Sequence, residues 1–368
     1  MMAPARIPLF APWIASAAKD YVVDCLESGW ISSVGPYVSR FEGAFGAFCG
    51  ATHALAVSSG TAALHLALAA RGIGPGDEVI VPALTFVATA NAVTYTGARP
   101  VFADVDPLTW TLAPADVERK LSSKTRAIVA VHLYGHPADL DALREIARPR
   151  KVLLVEDAAE AHGARYRGQI VGALGDIGCF SFFGNKLLST GEGGMVVTND
   201  AALAESANSL RGHAPGRGPS ARYDHPHVGY NYRMTSLQAA LGCAQLEDLD
   251  TVLGRQQATA DLYRKRLGKV AGITLPPHAP WAEPITWLFS VLAPAGDVRD
   301  AAITALDAAG IETRPFFVPL HKLAPYATGA RHPIAEDVAA RGLNLPSSPT
   351  ITADEIDRVC EVLGSVAG

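Results

Sequence analysis

The chain has 368 residues, enough to bury a large core and to form two or three domains. Its 31 Lys and Arg against 36 Asp and Glu leave a net charge of −5. With no basic run and no interleaved aromatic stripe, that balance argues against a nucleic-acid partner. The 49% hydrophobic composition is globular, no uninterrupted apolar stretch is long enough for a membrane span, and the mean hydropathy of +0.17 fits an extensive subunit interface.

The first residues, Met1-Met-Ala-Pro-Ala-Arg-Ile-Pro8, lack the charged and apolar regions of a signal peptide. Residues 53–57 read as a short apolar strand. It ends in Ser58-Ser59-Gly60-Thr61-Ala62-Ala63, a small-residue turn into an alanine- and leucine-rich helix over 61–71. Two readings stay open here. Free N–H groups at a helix start bind phosphate, with Gly60 allowing close approach and Thr61 adding a hydroxyl; alternatively the serines are an N-cap box. A strand over 78–81 leads to Thr85-Phe86 and a helix over 86–95. Phe86 at the strand's carboxyl end either stacks on a flat ring or packs in the core. A strand over 101–105 precedes a helix starting near Pro114, where proline suits the first turn.

Strands over 127–131 and 152–155 flank a helix near 140–147. The second strand ends in Glu156-Asp157-Ala-Ala-Glu160-Ala-His162-Gly163. A carboxylate at the end of a buried strand is costly unless paired. Asp157 is paired if it faces a protonated ring nitrogen, which keeps a pyridinium charged and makes it an electron sink. His162 then steadies that carboxylate. The other reading is a helix-capping Asp157, with Glu156 or His162 satisfied in the core. No supporting His-x-x-x-His or Cys pair accompanies these groups, so no metal is expected. An apolar run over 177–183 next delivers Lys186 into the glycine-rich turn Ser181-Phe-Phe-Gly-Asn-Lys-Leu-Leu-Ser-Thr-Gly-Glu-Gly-Gly194. A lysine leaving a buried strand into a tight loop is poorly placed for solvent and well placed to hold an aldehyde cofactor as a Schiff base. Ser181 can donate to the same phosphate as Thr61.

With a further strand over 195–198, these short buried strands alternating with helices predict a mostly parallel sheet covered on both faces. Ligands of such sheets lie at the carboxyl ends of the strands. The absence of Gly-x-Gly-x-x-Gly and of a Walker A run argues against dinucleotides and ATP. A helix over 201–211 follows, then a Gly-, Pro- and His-rich stretch over 212–227 that reads as a mobile loop. The polar run from His227 to Gln238 serves capping or an interface. Helices are expected over 236–246 and 249–267. Beyond a proline-rich 275–284 come a strand over 287–292, a helix over 298–309, a strand over 312–318 and a last helix over 353–363. Two domains are expected, 1–247 and 248–368. The five cysteines (Cys25, Cys49, Cys179, Cys243, Cys360) are scattered, with no Cys-x-x-Cys pair, as for reduced thiols of a cytoplasmic protein.

In this order the segments resemble the DegT/StrS-type family of sugar aminotransferases, pyridoxal 5'-phosphate enzymes of the aspartate-aminotransferase fold (fold type I). The resemblance runs from Gly29-Trp-Ile-Ser-Ser to Asn344-Leu-Pro. The strings Ser181-Phe-Phe-Gly-Asn-Lys186, Thr190-Gly-Glu-Gly-Gly194 and Gly229-Tyr-Asn-Tyr-Arg-Met234 look most like members that use L-glutamate to aminate C4 of GDP-4-keto-6-deoxymannose, giving GDP-perosamine. The resemblance implies a large α/β domain around a mostly parallel seven-stranded-type sheet and a smaller C-terminal α+β domain. It implies that Lys186 forms the internal aldimine and moves the proton between Cα and C4', and that Asp157 pairs with the pyridine nitrogen. Glu160 then contacts the ring hydroxyl, Phe86 stacks on the ring, and Gly60, Thr61 and Ser181 hold the phosphate. Asn231 and Arg233 match residues that reach the phosphate region from a neighbouring subunit, which implies a homodimer with shared active sites. Trp30 and Ser32, and Arg314, Phe316 and His321, match regions lining the sugar-nucleotide pocket. Arg314 either pairs with a diphosphate or forms a salt bridge. Relatives with histidine in place of the lysine are dehydratases; Lys186 favours transamination with ping-pong kinetics. The alternatives are another keto sugar (C3, or another nucleotide), a keto-cyclitol in antibiotic assembly, or a pyridoxal-binding regulator. The full set of Lys186, Asp157 and phosphate donors argues against the last.

Overall fold

The computed structural model describes residues 6–367 except 217, 219, 220 and 222; those four positions of the expected mobile loop lie outside the described residues. Helices α1 (Ala18–Ser28) and α2 (Pro36–Cys49) come first. Pro36 occupies the first turn of α2, where its missing N–H has no partner to lose. Phe41 and Phe45, one turn apart, point into the core, and Gly50 ends the helix at φ 69°.

Strand and helix then alternate: β1 (His53–Val57), α3 (Gly60–Ala70), β2 (Glu78–Pro82), α4 (Ala88–Tyr95), β3 (Arg99–Ala103), α5 (Pro114–Lys120), β4 (Thr125–Val131), α6 (Leu140–Ala147) and β5 (Leu153–Asp157). Short strands β6 (Arg165–Tyr166) and β7 (Gln169–Ile170) lead into β8 (Ile177–Ser181), β9 (Gly194–Thr198) and α7 (Ala201–Leu210). The main sheet has seven strands in the order β1-β9-β8-β5-β4-β2-β3. The pairs β2–β3, β2–β4, β4–β5 and β5–β8 are parallel; β9 runs antiparallel to both neighbours. The expected mostly parallel sheet is therefore present. Strands β2 and β5 are buried along their whole length, which is why they read as unbroken apolar runs rather than alternating ones.

Helices α8 (Ser236–Glu247) and α9 (Leu249–Leu267) follow, and Thr235 and Gln238 close a capping box at the start of α8. Beyond β10 (Ala282–Glu283), strands β11 (Phe289–Leu292), β12 (Arg314–Pro315) and β13 (Gly342–Leu345) form a three-stranded sheet in the order β11-β13-β12. Helices α10 (Gly296–Ala308), α11 (Pro333–Arg341) and α12 (Ala353–Ala367) accompany it. A second apolar core, including Tyr263, Phe289, Leu306 and Val359, lies here, and Ile7 from the N-terminal segment inserts into it. The strand expected over 312–318 shrinks to two residues, because Pro315 has no N–H to offer and the chain breaks away towards Pro319.

Candidate active site

A cavity of about 310 Å³ opens at the carboxyl ends of β1, β2, β4, β5 and β8. Its wall includes Gly60, Thr61, Phe86, Asp157, Glu160, Ser181, Lys186 and Arg314, eight residues expected at the site. A larger surface cleft of about 550 Å³, near Arg71, Arg148 and Lys151, contains none of these groups.

Lys186 enters from the turn after β8, its side chain 11% exposed. Burial pushes its pKa below the ordinary lysine value, while Glu160 and Asp157 pull it back. Its Nζ lies 3.6 Å from Glu160 Oε1. It also stands over the face of Trp287, 3.6 Å from the ring centroid. Glu160 Oε2 accepts from the backbone N–H of Tyr134 at 2.9 Å, and burial raises its pKa.

Asp157 ends β5 in a 5% exposed position. Its donors are neutral: Thr89 Oγ1 at 2.9 Å and the backbone N–H of Ala159 at 3.2 Å. Burial pushes its pKa up, against these donors and the attraction of Lys186. Its neighbour Glu156 points to the other side. It accepts from His132 Nε2 (3.0 Å) and from the N–H groups of Gly172, Leu174 and Gly175 (2.7, 2.7 and 2.5 Å). Burial alone would raise its pKa, but His132 and these donors bring it below the usual carboxylate range. The alternation of strand side chains thus divides two adjacent carboxylates into a structural anchor and a cavity group. His162 does not steady Asp157. It packs against Phe180 and Phe182, and among the described residues neither ring nitrogen has a side-chain partner.

The turn after β1 caps its helix and also borders the cavity. Ser59 Oγ caps α3 by accepting from Ala62 N at 3.1 Å, while Ser59, Gly60 and Thr61 all face the cavity. A Cβ on Gly60 would stand 2.6 Å from Ser181 Cβ, and one on Gly194 would stand 2.5 Å from the Ser59 carbonyl oxygen. The two glycines let the start of α3 press directly against the ends of β8 and β9.

Other expected residues fall elsewhere. Phe316 is 4% exposed and packs on Trp110 and Tyr134; its neighbour Phe317 lines the cavity instead. His321 is buried beside Glu336 and His332, away from the wall. Trp30 is half exposed, and Ser32 offers its carbonyl to Ser236 N at 2.6 Å. Asn231 and Arg233 form isolated backbone bridges to Gly212 and Val57; neither lines this chain's cavity. Thr89, Asn185, Trp287 and Phe317 belong to the wall without having been singled out. A threonine facing inward on the apolar side of α4, one turn after Phe86, is the signal that marks Thr89.

The residues fit pyridoxal 5'-phosphate. Asp157 is a buried carboxylate whose hydrogen-bond donors are neutral, which suits a ring-nitrogen cation. A nearly buried amine, Lys186, shares its cavity. Hydroxyls of Ser59, Thr61 and Ser181 gather at the start of α3, where a phosphate is favoured.

The DegT/DnrJ/EryC1/StrS aminotransferase family matches residues 12–364 of the chain. GDP-perosamine synthase of Caulobacter vibrioides is 48% identical over 366 residues, covering 98% of each chain. The GDP-perosamine synthase of Escherichia coli O157:H7 is 44% identical, over 96% of this chain and 97% of the relative. Among solved structures, S. venezuelae DesV in complex with ketimine intermediate superposes with a TM-score of 0.92 at 40% identity, over 99% of both chains. 3-Amino-5-hydroxybenzoic acid synthase gives 0.92 at 32% identity, over 98% of this chain and 99% of the other.

Proposed function

Since the chain belongs to the DegT/DnrJ/EryC1/StrS aminotransferase family, we propose that it transfers the amino group of L-glutamate to the C4 keto group of a nucleotide-linked 4-keto-6-deoxysugar, GDP-4-keto-6-deoxymannose above others. The observation that carries this reading is the nearly buried Lys186 amine sharing one cavity with the buried Asp157 carboxylate, in a chain 48% identical to a GDP-perosamine synthase over almost its full length.

When bound, pyridoxal 5'-phosphate supplies an aldehyde that accepts the amino group and a ring that withdraws electrons from the bond being broken. Asp157, held by Thr89 and Ala159 N–H, would be the counter-charge that keeps the ring nitrogen protonated. Gly60, Thr61 and Ser181 would hold the phosphate, Phe86 would pack on the ring, and Glu160 would meet the ring hydroxyl. Lys186 Nζ is the proton carrier: burial lowers its pKa below the ordinary lysine value, which favours the free amine that serves as general base. Arg314, exposed at the mouth beside Phe317, meets the diphosphate of the sugar nucleotide. A second copy completes the site, with Asn231 and Arg233 reaching the partner's phosphate region. The exposed apolar side chains Val23, Leu26, Trp30, Ile31 and Val34 support such an interface. The five buried, free cysteines fit a reducing compartment, the cytoplasm.

Addition of glutamate is expected to change the absorbance of the bound cofactor in the unaltered chain, and Lys186→Ala is expected to abolish that change. Persistence of the change in the variant refutes the role of Lys186. Incubation with glutamate and a panel of keto sugars tests the acceptor. GDP-4-keto-6-deoxymannose is expected to turn over fastest; turnover of a keto-cyclitol and of no nucleotide sugar refutes the proposed substrate class.

A further inference from the structure

Trp287 is 3% exposed and lies just before β11, yet its ring forms part of the cavity wall. Three contacts fix it. Its Nε1–H donates to the carbonyl of Asn185, the residue preceding the lysine, at 2.6 Å. Its ring stacks on Tyr134, with centroids 6.5 Å apart and planes at 26°. Its face then meets Lys186 Nζ, 3.6 Å from the centroid.

Tyr134 is itself tightly held. Its backbone adopts φ 51°, unusual for a residue with a side chain. Its N–H donates to Glu160 Oε2 at 2.9 Å, and its hydroxyl accepts from Phe317 N at 3.3 Å. Tyr134 thus sets both groups that flank the amine: Trp287 through its ring and Glu160 through its N–H. The lysine ammonium lies between a π face and a carboxylate. The other charged or titratable groups acting on it are Asp157, which attracts it, Arg314, which repels it, and the neutral His162.

We propose that Trp287 is a positioning residue for Lys186. Its indole face holds the ammonium, once the amine has taken up a proton, at the point from which that proton is given back. The holding is a property of the chain alone; only the return of the proton rests on the transaminase reading above.

The test uses the full chain dialysed free of pyridoxal phosphate, with the unaltered protein, Trp287→Phe and Trp287→Leu compared. Lys186 is labelled with an amine-specific acylating reagent across a range of pH, and the labelled peptide is quantified by mass spectrometry. Both variants lose the bond to Asn185, so the difference between them isolates the aromatic face. Only the neutral amine reacts. Loss of the ring face therefore moves the labelling profile of Trp287→Leu to lower pH, and below the midpoint its rate rises about two- to tenfold relative to its own high-pH plateau. Normalising to the plateau removes any change in access. Trp287→Phe retains a face and falls between the two. Identical profiles for all three proteins overturn the proposal. A variant that does not fold is recognised by its near-ultraviolet circular dichroism, and the Phe variant then carries the comparison. Neither glutamate nor turnover enters this measurement, so its failure is separate from any failure of the transaminase reading.

Discussion

Asp157 shows how a single residue sets stability against binding. Among the described residues its buried carboxylate has a hydroxyl and a backbone amide as donors, and burial holds its folded pKa above the unfolded value. The folded chain therefore binds its proton more readily than the unfolded chain. A stability penalty follows that is absent in acid and is fully present once pH has risen through the folded pKa. Asp157→Asn removes the charge and keeps the shape, and the Thr89 hydroxyl can turn to accept from the new amide. We expect Asp157→Asn to unfold at higher denaturant than the unaltered chain at neutral pH, with both free of cofactor. The same substitution leaves a ring-nitrogen cation without its counter-charge. Losing one partner of a buried charge pair costs about 2 kcal/mol or more, so pyridoxal 5'-phosphate binding weakens roughly thirtyfold or further. Denaturant titration and a cofactor-binding titration check the two signs independently, and equal binding by the variant refutes the pairing.

At the scale of elements, the site depends on how closely α3 meets β8. Gly60 carries no positive φ, so its constraint is space alone: an added Cβ meets Ser181 Cβ at 2.6 Å and its Cα at 3.2 Å. Gly60→Ala must push the helix start away from the strand, at roughly 1–3 kcal/mol. The displaced N–H groups and hydroxyls then also bind phosphate more weakly, visible as a lower denaturation midpoint together with a reduced cofactor affinity. This docking was half legible in the sequence. The apolar runs of β1, β2, β4 and β5 and the small-residue turn could be read, because a strand buried on both faces leaves an unbroken signature. Helix α2 could not: its segment mixes two glycines with Tyr37, Phe41, Phe45 and Phe48, and its helicity comes from the core it packs against rather than from propensity. That Phe317, and not Phe316, lines the cavity was illegible for another reason. Which of two adjacent residues faces a cavity depends on register, and β12 is too short and too proline-bound to reveal it. Trp287 could be read as the first residue of a strand, but its partner lies 101 residues away in sequence (287 − 186), a separation that only the tertiary fold brings together.

The whole molecule is held in part by histidines kept neutral. His136 is buried with Nδ1–H donating to the Pro137 carbonyl at 2.8 Å and Nε2 accepting from Ala279 N at 3.1 Å. It joins the loop after β4 to the segment before β10, and burial brings its pKa down to about 4. His162, enclosed by Phe180 and Phe182, is lowered to about 3, by burial first and the nearby Lys186 charge second. Both have an ordinary value of 6.5. Below that pH the unfolded chain takes up protons that the folded chain refuses. Stability thus falls as pH drops from about 6.5, by about 1.4 kcal/mol per pH unit for each group, and levels off near pH 4 and pH 3. Glu160 and Asp157, whose pKa values burial raises, act in the opposite sense. His162→Leu fills the same apolar space, discards two buried nitrogens without side-chain partners among the described residues and removes one acid-sensitive group. Its unfolding free energy, measured by urea titration at pH 7 and pH 5, is expected to fall less than that of the unaltered chain, by about 2 kcal/mol. If the two proteins lose the same stability between these pH values, His162 is already charged in the folded chain and the neutral core assigned to it is wrong.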